Sequence, residues 1–185
     1  SSNDCVDDKD GGASNDPAKW GQWLARGALR GEHRHSVFLV NRSGAEVLGR
    51  PTFRSLDELP EAPELVVLAV PASAFEETVD ASLAAGARAI VAIAAGLGEA
   101  SAEGRAREQA VVERVREAGA VLLGPNCLGV FDASAELDLS SSDFVPGPIG
   151  VISQSGNLAI ELSLLASEVG LGISRFASIG NQADL

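Results

Sequence analysis

The stretch Val121-Leu-Leu-Gly-Pro-Asn-Cys-Leu-Gly-Val130 turns a short apolar strand abruptly into a loop punctuated by two glycines. Gly124 and Gly129 permit backbone angles and close approaches that a side chain would block, and Pro125 disfavours helix at the residue before it. Ligands of open α/β sheets bind outside the carboxyl ends of the strands, so we expect a ligand against this turn. The alternative is a buried connection in which Cys127 is simply a small apolar residue.

Apolar runs alternate with helical spacings on the amino-terminal side of this stretch. Continuous apolar runs are typical of strands buried in a parallel sheet, and apolar residues spaced three or four apart indicate helices. The alternation predicts an α/β fold with a doubly wound parallel sheet. The predicted strands cover residues 36–40, 64–70, 89–94 and 121–123, and the predicted helices cover residues 18–30, 74–85 and 101–118.

The amino-terminal end of this pattern has a turn without the strand that normally precedes it. Residues 1–11 predict a disordered acidic lead. The glycines and small residues that follow resemble a phosphate-binding turn that opens a helix. Only Cys5-Val6 stands where an apolar strand is expected. Either the first strand is atypical or the glycine turn is only a loop.

A second unit is predicted after the quoted stretch. Residues 131–144 are polar and acidic with a serine run and receive no predicted element, and Val145-Pro-Gly-Pro148 is typical of a linker. A strand over 150–153, a helix over 158–169 and a strand over 173–179 then follow, too few elements to close a core. We therefore predict a first domain over residues 12–145 and an incomplete second α/β domain over residues 149–185.

Composition limits the function classes. The formal net charge of −12 argues against nucleic acid or an anionic membrane as a partner, since both attract basic surfaces. No apolar run approaches the ~20 residues that span a bilayer, and the first residues do not form a signal peptide. Two cysteines, Cys5 and Cys127, are too few for a disulfide framework or a metal site. These features predict a soluble cytoplasmic protein.

Basic residues are concentrated in one stretch of this acidic chain. Between positions 19 and 54, seven basic residues face two acidic ones. This stretch would hold a small phosphorylated ligand, or it is a solvated surface balanced by acids elsewhere. At the end of the strand over 36–40, Asn41 and Arg42 stand where an NAD site has an acid for the ribose hydroxyls. Arg42 therefore favours a ligand with an extra phosphate.

Four motifs, taken in their order along the chain, resemble those of the NDP-forming acyl-CoA synthetases. The family includes the α-subunit of succinyl-CoA synthetase and the related CoA-binding half of some bacterial protein acetyltransferases. The specific motifs are Gly124-Pro-Asn-Cys-Leu-Gly-Val130 and Gly150-Val-Ile-Ser-Gln-Ser-Gly156, with weaker support from Gly12-Ala-Ser14 and Val70-Pro71. The resemblance implies a Rossmann-like CoA-binding domain followed by the start of a flavodoxin-like ligase domain.

The resemblance also implies a coenzyme A site. The turn at Gly12-Ala-Ser14 and the start of the helix after it would hold the pyrophosphate, and Arg42 would bind a phosphate. Val70-Pro71 would pack against the adenine end. Residues 94–96 and 126–127 would lie along the pantetheine arm. A second loop would hold a phosphorylated group, or its Ser155 is simply a helix N-cap. The implied CoA-binding residues are Gly12, Ala13, Ser14, Lys19, Trp20, Gly21, Val40, Asn41, Arg42, Val70, Pro71, Ala94, Ala95, Gly96, Asn126 and Cys127, and the phosphate loop is Ser153, Gln154, Ser155 and Gly156.

The chemistry implied by the resemblance needs residues that this sequence lacks. In the family a histidine of the second domain carries phosphoryl to the acid, giving an acyl phosphate that CoA captures. The last histidines here are His33 and His35, in a helix–strand connector, where we expect solvated residues. The chain is therefore expected to bind CoA without catalysing ligation alone, and to work with a β-type ATP-grasp subunit or domain. A homo-oligomer is left open.

Three other functions are weighed against a ligase segment. A non-catalytic CoA-sensing module of an acetyltransferase fusion has the same binding motifs. An NAD(H)-binding redox sensor is disfavoured by Asn41-Arg42 and by the lack of a GxGxxG motif. A serine hydrolase is disfavoured because Ser155 lacks the glycine two positions before it and no histidine follows. Cys127 has no activating base nearby in sequence, so no catalytic residue is assigned.

Overall fold

The computed structural model describes residues 12–185, and the predicted acidic lead over 1–11 lies outside them. The described chain alternates helices and strands and contains two sheets. Short 3-10 turns cover Leu56–Glu58 and Ala72–Ala74. The elements are α1 (Trp20–Arg30), β1 (Leu65–Leu68), α2 (Phe75–Ala84), β2 (Ala89–Ala92), α3 (Ala102–Glu117), β3 (Val121–Leu123), β4 (Gly129–Asp132), β5 (Leu137–Ser140), β6 (Pro146–Ser153), α4 (Gly156–Glu168) and β7 (Ile173–Ser178).

The first sheet is parallel, with the order β1-β2-β3, and α2 and α3 are its crossover helices. One face of the sheet is buried under these helices, because their apolar sides supply fully buried residues such as Phe75, Val79 and Val111. Ser101 caps α3 by accepting a hydrogen bond from the Gly104 N–H at 2.9 Å. The predicted α/β class is thus confirmed, with β3 as predicted and β1, β2, α2 and α3 a few residues shorter than predicted.

The strand predicted over residues 36–40 is wrong. This segment forms isolated bridges instead, because its backbone partner is Phe53: the Phe53 N–H donates to the Leu39 carbonyl, and the Asn41 N–H donates to Phe53. Within residues 12–185, β1 has no strand on its outer edge, where only the Gly12 N–H binds the Ala69 carbonyl. Among the described residues the segment therefore pairs with Phe53 and does not extend the sheet.

The second sheet has the order β5-β4-β7-β6. β4 is antiparallel to both β5 and β7, while β6 and β7 are parallel and joined by α4. The segment over 131–144, to which the sequence pattern assigns no element, therefore contains most of a hairpin. Its polar residues concealed the strands: Asp138 and Ser140 are buried, and the Ser140 hydroxyl donates to the Asp138 carboxylate at 2.8 Å. The predicted linker is also wrong, because β6 begins at Pro146.

Three aromatic rings form most of the core of the second sheet. The Phe144 ring centroid lies 5.4 Å from that of Phe131 and 4.8 Å from that of Phe176. Ala159 of α4 and Ile173 complete the buried cluster. The other apolar residues of α4 mostly point outward, and within the described chain Leu158, Leu162, Leu164, Leu165 and Val169 are exposed.

Helix α1 contacts both sheets, because it packs on β5 and its Leu24 is buried in one cluster with Val91 of β2. Arg30 forms ion pairs with Asp138 at 3.1 Å and with Asp143 at 2.7 Å, and Arg26 also pairs with Asp143. Burial raises the pKa of Asp138 above its usual range, against the opposing hydrogen bonds of Ser140.

None of the helices between residues 12 and 185 is long and apolar enough to cross a membrane.

The carboxylate of Asp132 fastens the hairpin turn to β7. It accepts hydrogen bonds from the Ser134 and Ala135 N–H groups, from the Ser134 hydroxyl, and from Arg175 Nε at 2.8 Å. The hydrogen bond from the Ser134 hydroxyl, followed by that from Arg175, holds the pKa of Asp132 well below its usual range. The ionised form is therefore favoured by folding.

Asp132→Asn is expected to lower the urea midpoint at pH 7, and the difference from the unchanged protein is expected to shrink as the pH falls below about 4. The reason is that a depressed folded pKa stabilises only above the unfolded pKa, and this contribution is lost as the pH falls toward the folded value. Urea titrations at pH 7 and pH 3 measure it. The control is Glu61→Gln at an exposed carboxylate. A difference that persists undiminished at pH 3 would contradict this role.

Candidate functional site

The glycine turn at Gly12 lies at the carboxyl end of β1. The Gly12 N–H donates to the Ala69 carbonyl at 2.9 Å, and the Ala13 N–H donates to the Val40 carbonyl at 3.0 Å. The side chain of Asn41, which is buried, donates to the Ala13 carbonyl at 2.7 Å. The turn is thus held between the end of β1 and the end of the segment over 36–41. These bonds bring three predicted CoA-binding segments together.

Helix α1 begins directly beneath this turn. Gly21, in its first turn, is buried, and a Cβ at that position would overlap the carbonyl oxygen of Gly12. Only a glycine therefore lets the helix approach the turn so closely. Lys19 is the N-cap residue, with no capping bond from its side chain.

The amide groups before α1 are less available than the sequence predicts. The Asp16 N–H donates to the Ser14 hydroxyl at 3.1 Å, and the Ala18 N–H donates to the Asp16 carboxylate at 2.9 Å. The Lys19 N–H donates to the Asp16 carbonyl. Asp16 therefore already accepts hydrogen bonds from some of the amides, Ser14 to Trp20, that are predicted to bind phosphate. A phosphate bound there would have to displace the Asp16 carboxylate from the Ala18 N–H.

A cavity of about 1180 Å³ opens beside the turn, between α1, residues 36–42, β1 and the start of α2. Its lining is largely aliphatic, with Leu24, Leu39 and Leu65 among the apolar residues. This combination of an apolar lining and a few polar groups is typical of cofactor sites. The predicted CoA-binding residues that line it are Gly12, Ala13, Gly21, Val40, Asn41, Arg42, Val70 and Pro71.

The basic stretch is mostly neutralised within the fold. Besides the pairs of Arg26 and Arg30 with acids, Arg34 pairs with Glu136 and Arg50 with Glu32. Arg42 has a looser contact, 3.8 Å from the carboxylate of Glu77, and both side chains are exposed. Arg42 lines the cavity together with Arg34 and Arg54. Of the predicted basic stretch, the residues that remain placed to bind a phosphate are therefore the arginines of the cavity lining, among which Arg34 is already paired with Glu136.

The side chains of His33 and His35, in the segment after α1, contact the turn between β4 and β5. His33 Nε2 is 2.8 Å from Glu136 Oε2, and His35 Nε2 is 2.8 Å from the Ala135 carbonyl. Both side chains are exposed, as the sequence predicts. Their contacts are structural ones to the hairpin.

The loop after β3 packs against the end of β2. Gly124 has a φ of +97°, and a Cβ there would lie 2.6 Å from the Ala92 carbonyl oxygen. Cys127 is buried, and its thiol donates to the same carbonyl at 3.2 Å. Burial raises the pKa of this thiol to about 11, so it stays protonated at neutral pH. Cys127 thus packs beneath the loop, and the exposed side chain of Asn126 is the one at the loop surface.

The loop after β2 is held by two glutamates that sequence reasoning missed. Ala94 is buried and Gly96 exposed, with Ala95 half-buried between them. Glu99 accepts from the Gly96 N–H, and the buried Glu108 accepts from the Gly98 N–H at 2.8 Å. Glu99 lies three residues after Gly96 and Glu108 ten residues after Gly98, and neither spacing is a turn signature that the sequence alone would give.

The predicted phosphate loop lies against the loop after β3, because a Cβ at Gly156 would overlap the side chain of Leu128. Ser155 is the N-cap of α4 and accepts from the Leu158 N–H at 3.4 Å, which confirms the capping role. The Ser153 hydroxyl donates to the Ser155 carbonyl at 2.8 Å, and Gln154 is exposed. A phosphate role for this loop stays a prediction.

A parallel sheet with its loops gathered at the carboxyl ends, joined to a mixed sheet, places the chain among the α/β proteins. Family comparison is more specific: residues 11–133 match the CoA binding domain, and residues 146–185 match the succinyl-CoA ligase like flavodoxin domain. The chain belongs to this CoA-binding, succinyl-CoA ligase-like family. The resemblance stated from the motifs is thereby confirmed.

Individual relatives agree with this assignment. The chain is 33% identical over 175 residues to the acetate–CoA ligase [ADP-forming] II subunit alpha of Pyrococcus furiosus, covering 94% of this chain and 38% of the relative. The crystal structure of PH0766 from Pyrococcus horikoshii OT3 superposes with a TM-score of 0.89 at 30% identity, over 94% of this chain and 40% of that one. The apo dinucleotide-forming acetyl-coenzyme A synthetase 1 of Ca. Korarchaeum cryptofilum gives 0.86 at 31% identity, over 94% and 38%. The chain thus spans about two fifths of these relatives.

Proposed function

We propose that the chain binds coenzyme A in the cavity beside the Gly12 turn and serves as the CoA-binding segment of an NDP-forming acid–CoA ligase. The observation that carries the proposal is the junction of Gly12-Ala13, Val40-Asn41 and Val70-Pro71 at one edge of this cavity, with Arg42 beside it. These segments lie within the part of the chain that matches the CoA binding domain.

The residues present fit the chemistry of coenzyme A. The Gly12–Gly21 contact leaves backbone in place of side chains where a pyrophosphate would approach the start of α1. Arg42 would bind the 3′-phosphate, since its present contact with Glu77 is long and exposed. Val70-Pro71 would pack on the adenine, and the pantetheine arm would pass the loop at Ala94, Ala95 and Gly96 toward Asn126. Coenzyme A supplies the thiol that takes up the acyl group.

The remaining steps are proposed for other parts of a complete ligase. A phosphohistidine and acyl-phosphate route needs a histidine placed by the second domain, whereas His33 and His35 contact the hairpin turn. We propose that a β-type ATP-grasp subunit or domain supplies the nucleotide chemistry, with Ser153 to Gly156 holding the transferred phosphoryl group. The outward apolar residues of α4 support packing of further polypeptide on this unit. The cytoplasmic setting stays an expectation from cysteine usage.

Arg42→Glu is expected to weaken CoA binding by about tenfold or more, because a charge-assisted hydrogen bond to a phosphate is worth about 1.5–3 kcal/mol. Dephospho-CoA, which lacks the 3′-phosphate, is expected to lose about twofold or less, from the general change of charge. Calorimetric titration of CoA, dephospho-CoA and NAD measures these affinities.

The matched control is Arg50→Glu, which makes the same change of charge at an exposed arginine outside the cavity lining. Equal losses for CoA and dephospho-CoA would mean that Arg42 does not bind the 3′-phosphate. Absence of CoA binding to the unchanged protein, or equal affinity for NAD, would overturn the proposed function.

A further inference from the structure

The residues after β7 return to the first sheet and run along the loop after β3. The Asn181 N–H donates to the Pro125 carbonyl at 2.9 Å, and the Ala183 N–H donates to the Gly124 carbonyl at 3.3 Å. The Asp184 carboxylate accepts from the Leu122 N–H at 3.1 Å and pairs with Arg116. The segment therefore follows the loop that the proposed function assigns to the thiol end of CoA.

The side chain of Asn181 connects that loop to the loop after β2. Its Nδ2 donates to Glu99 Oε2 and to Glu108 Oε1, both at 2.6 Å, and its Oδ1 accepts from Asn126 Nδ2 at 3.2 Å. An amide nitrogen has two hydrogens, so both are used. The two carboxylates also fix the orientation of the amide, because a flipped amide would set its oxygen against two negative charges.

The two glutamates transmit this contact to the backbone of the loop after β2. Glu99 accepts from the N–H groups of Gly96 and Leu97, and Glu108 accepts from that of Gly98. Burial raises the pKa of Glu99, but the hydrogen bonds from Asn181 and the Gly96 backbone outweigh it and the pKa is lowered. Glu108 is only 5% exposed, so losing its amide partner would leave a buried carboxylate with fewer donors.

We infer that Asn181 is a positioning residue for the thiol end of coenzyme A, which sets the loop at Gly96 and the loop at Asn126 at a fixed separation. The inference rests on the proposed function, since it concerns the same site. It assigns a role to a residue of the second family segment, 85 positions from one loop and 55 from the other along the chain. Within residues 12–185, no hydrogen bond or ion pair joins Arg42 or Val70, at the proposed adenine end, to the side chain of Asn181, whose partners are Asn126, Glu99 and Glu108.

Asn181→Ala is expected to reduce the affinity for CoA about tenfold, as hydrogen bonds to charged groups are lost and the two loops separate. The affinity for adenosine 3′,5′-bisphosphate, which has the 3′-phosphate and adenine but no pantetheine arm, is expected to stay within about twofold. Calorimetric titration of both ligands measures the two affinities. The control is Gln182→Asn, which shortens the exposed neighbouring side chain.

A second variant tests whether the amide acts through its hydrogen bonds to the two glutamates. Asn181→Asp keeps the size of the side chain and faces Glu99 and Glu108 with a third carboxylate, so its loss of CoA affinity is expected to exceed that of Asn181→Ala. Equal losses for both ligands, no loss for either, or a smaller loss with aspartate than with alanine would overturn the positioning role. If the unchanged protein binds neither ligand, the proposed function itself fails.

Discussion

Gly21→Ala is expected to destabilise the protein by about 3 kcal/mol and to remove measurable CoA binding, although alanine is the better helix former by about 1 kcal/mol. The added Cβ would overlap the carbonyl oxygen of Gly12 and lie 2.9 Å from its carbonyl carbon and 3.3 Å from the Ser14 nitrogen. All three atoms are backbone, so no side-chain rotation relieves the contact. The turn would have to move away from Ala69 and Val40, to which it is hydrogen-bonded.

Urea unfolding followed by circular dichroism measures this loss, and calorimetry measures the effect on CoA. The matched control is Gln22→Ala at the next position of α1, which is half-buried and receives the same alanine, with a smaller gain in helix propensity. A Gly21→Ala protein as stable as this control would show that the turn does not lie against the helix.

Phe144→Ala is expected to have an equally large effect, a loss of about 3–5 kcal/mol, as for other buried phenylalanines. The ring of Phe144 contacts both Phe131 and Phe176, and the buried cluster around them has only two further members. A core of this size has few neighbours that could move into the cavity left behind.

Urea titration followed by circular dichroism and by tryptophan fluorescence measures the effect, since Trp20 and Trp23 lie on α1, which packs against β5. Phe144→Leu, which keeps most of the volume, is the control and is expected to cost about 1.5 kcal/mol or less. A loss with alanine no larger than with leucine would show that Phe144 is not a core residue.

The first sheet could be predicted from the sequence because its strands are continuous apolar runs separated by helices with clear ends. The segment over 36–40 has the same apolar character, yet its hydrogen bonds go to Phe53. Local pattern does not say which neighbour a strand will have. The hairpin of β4 and β5 was missed because Asp138 and Ser140 satisfy each other in the interior, which makes buried strands polar in composition.

The parts of the candidate site that could be predicted are those where a close backbone approach requires a particular residue type, namely glycine. Glycines at positions 12, 21 and 124 each mark a real close approach. The network of Glu99, Glu108 and Asn181 was not predictable, because common polar residues far apart in sequence become partners only through the fold. The use of the Asp16 carboxylate at the start of α1 was not predicted for a different reason, because a local hydrogen bond from the Ala18 N–H competes with a ligand for that amide.

The pairing of β4 with β7 affects how the protein unfolds. β4 and β5 follow the loop at Asn126, and β7 belongs to the segment that matches the flavodoxin-like domain, so one sheet contains strands from both sides of that division. Opening the second sheet breaks ladder hydrogen bonds of both segments at once. The division by family is therefore not a boundary between independently melting units, and the described chain is expected to unfold as one cooperative foldon across it.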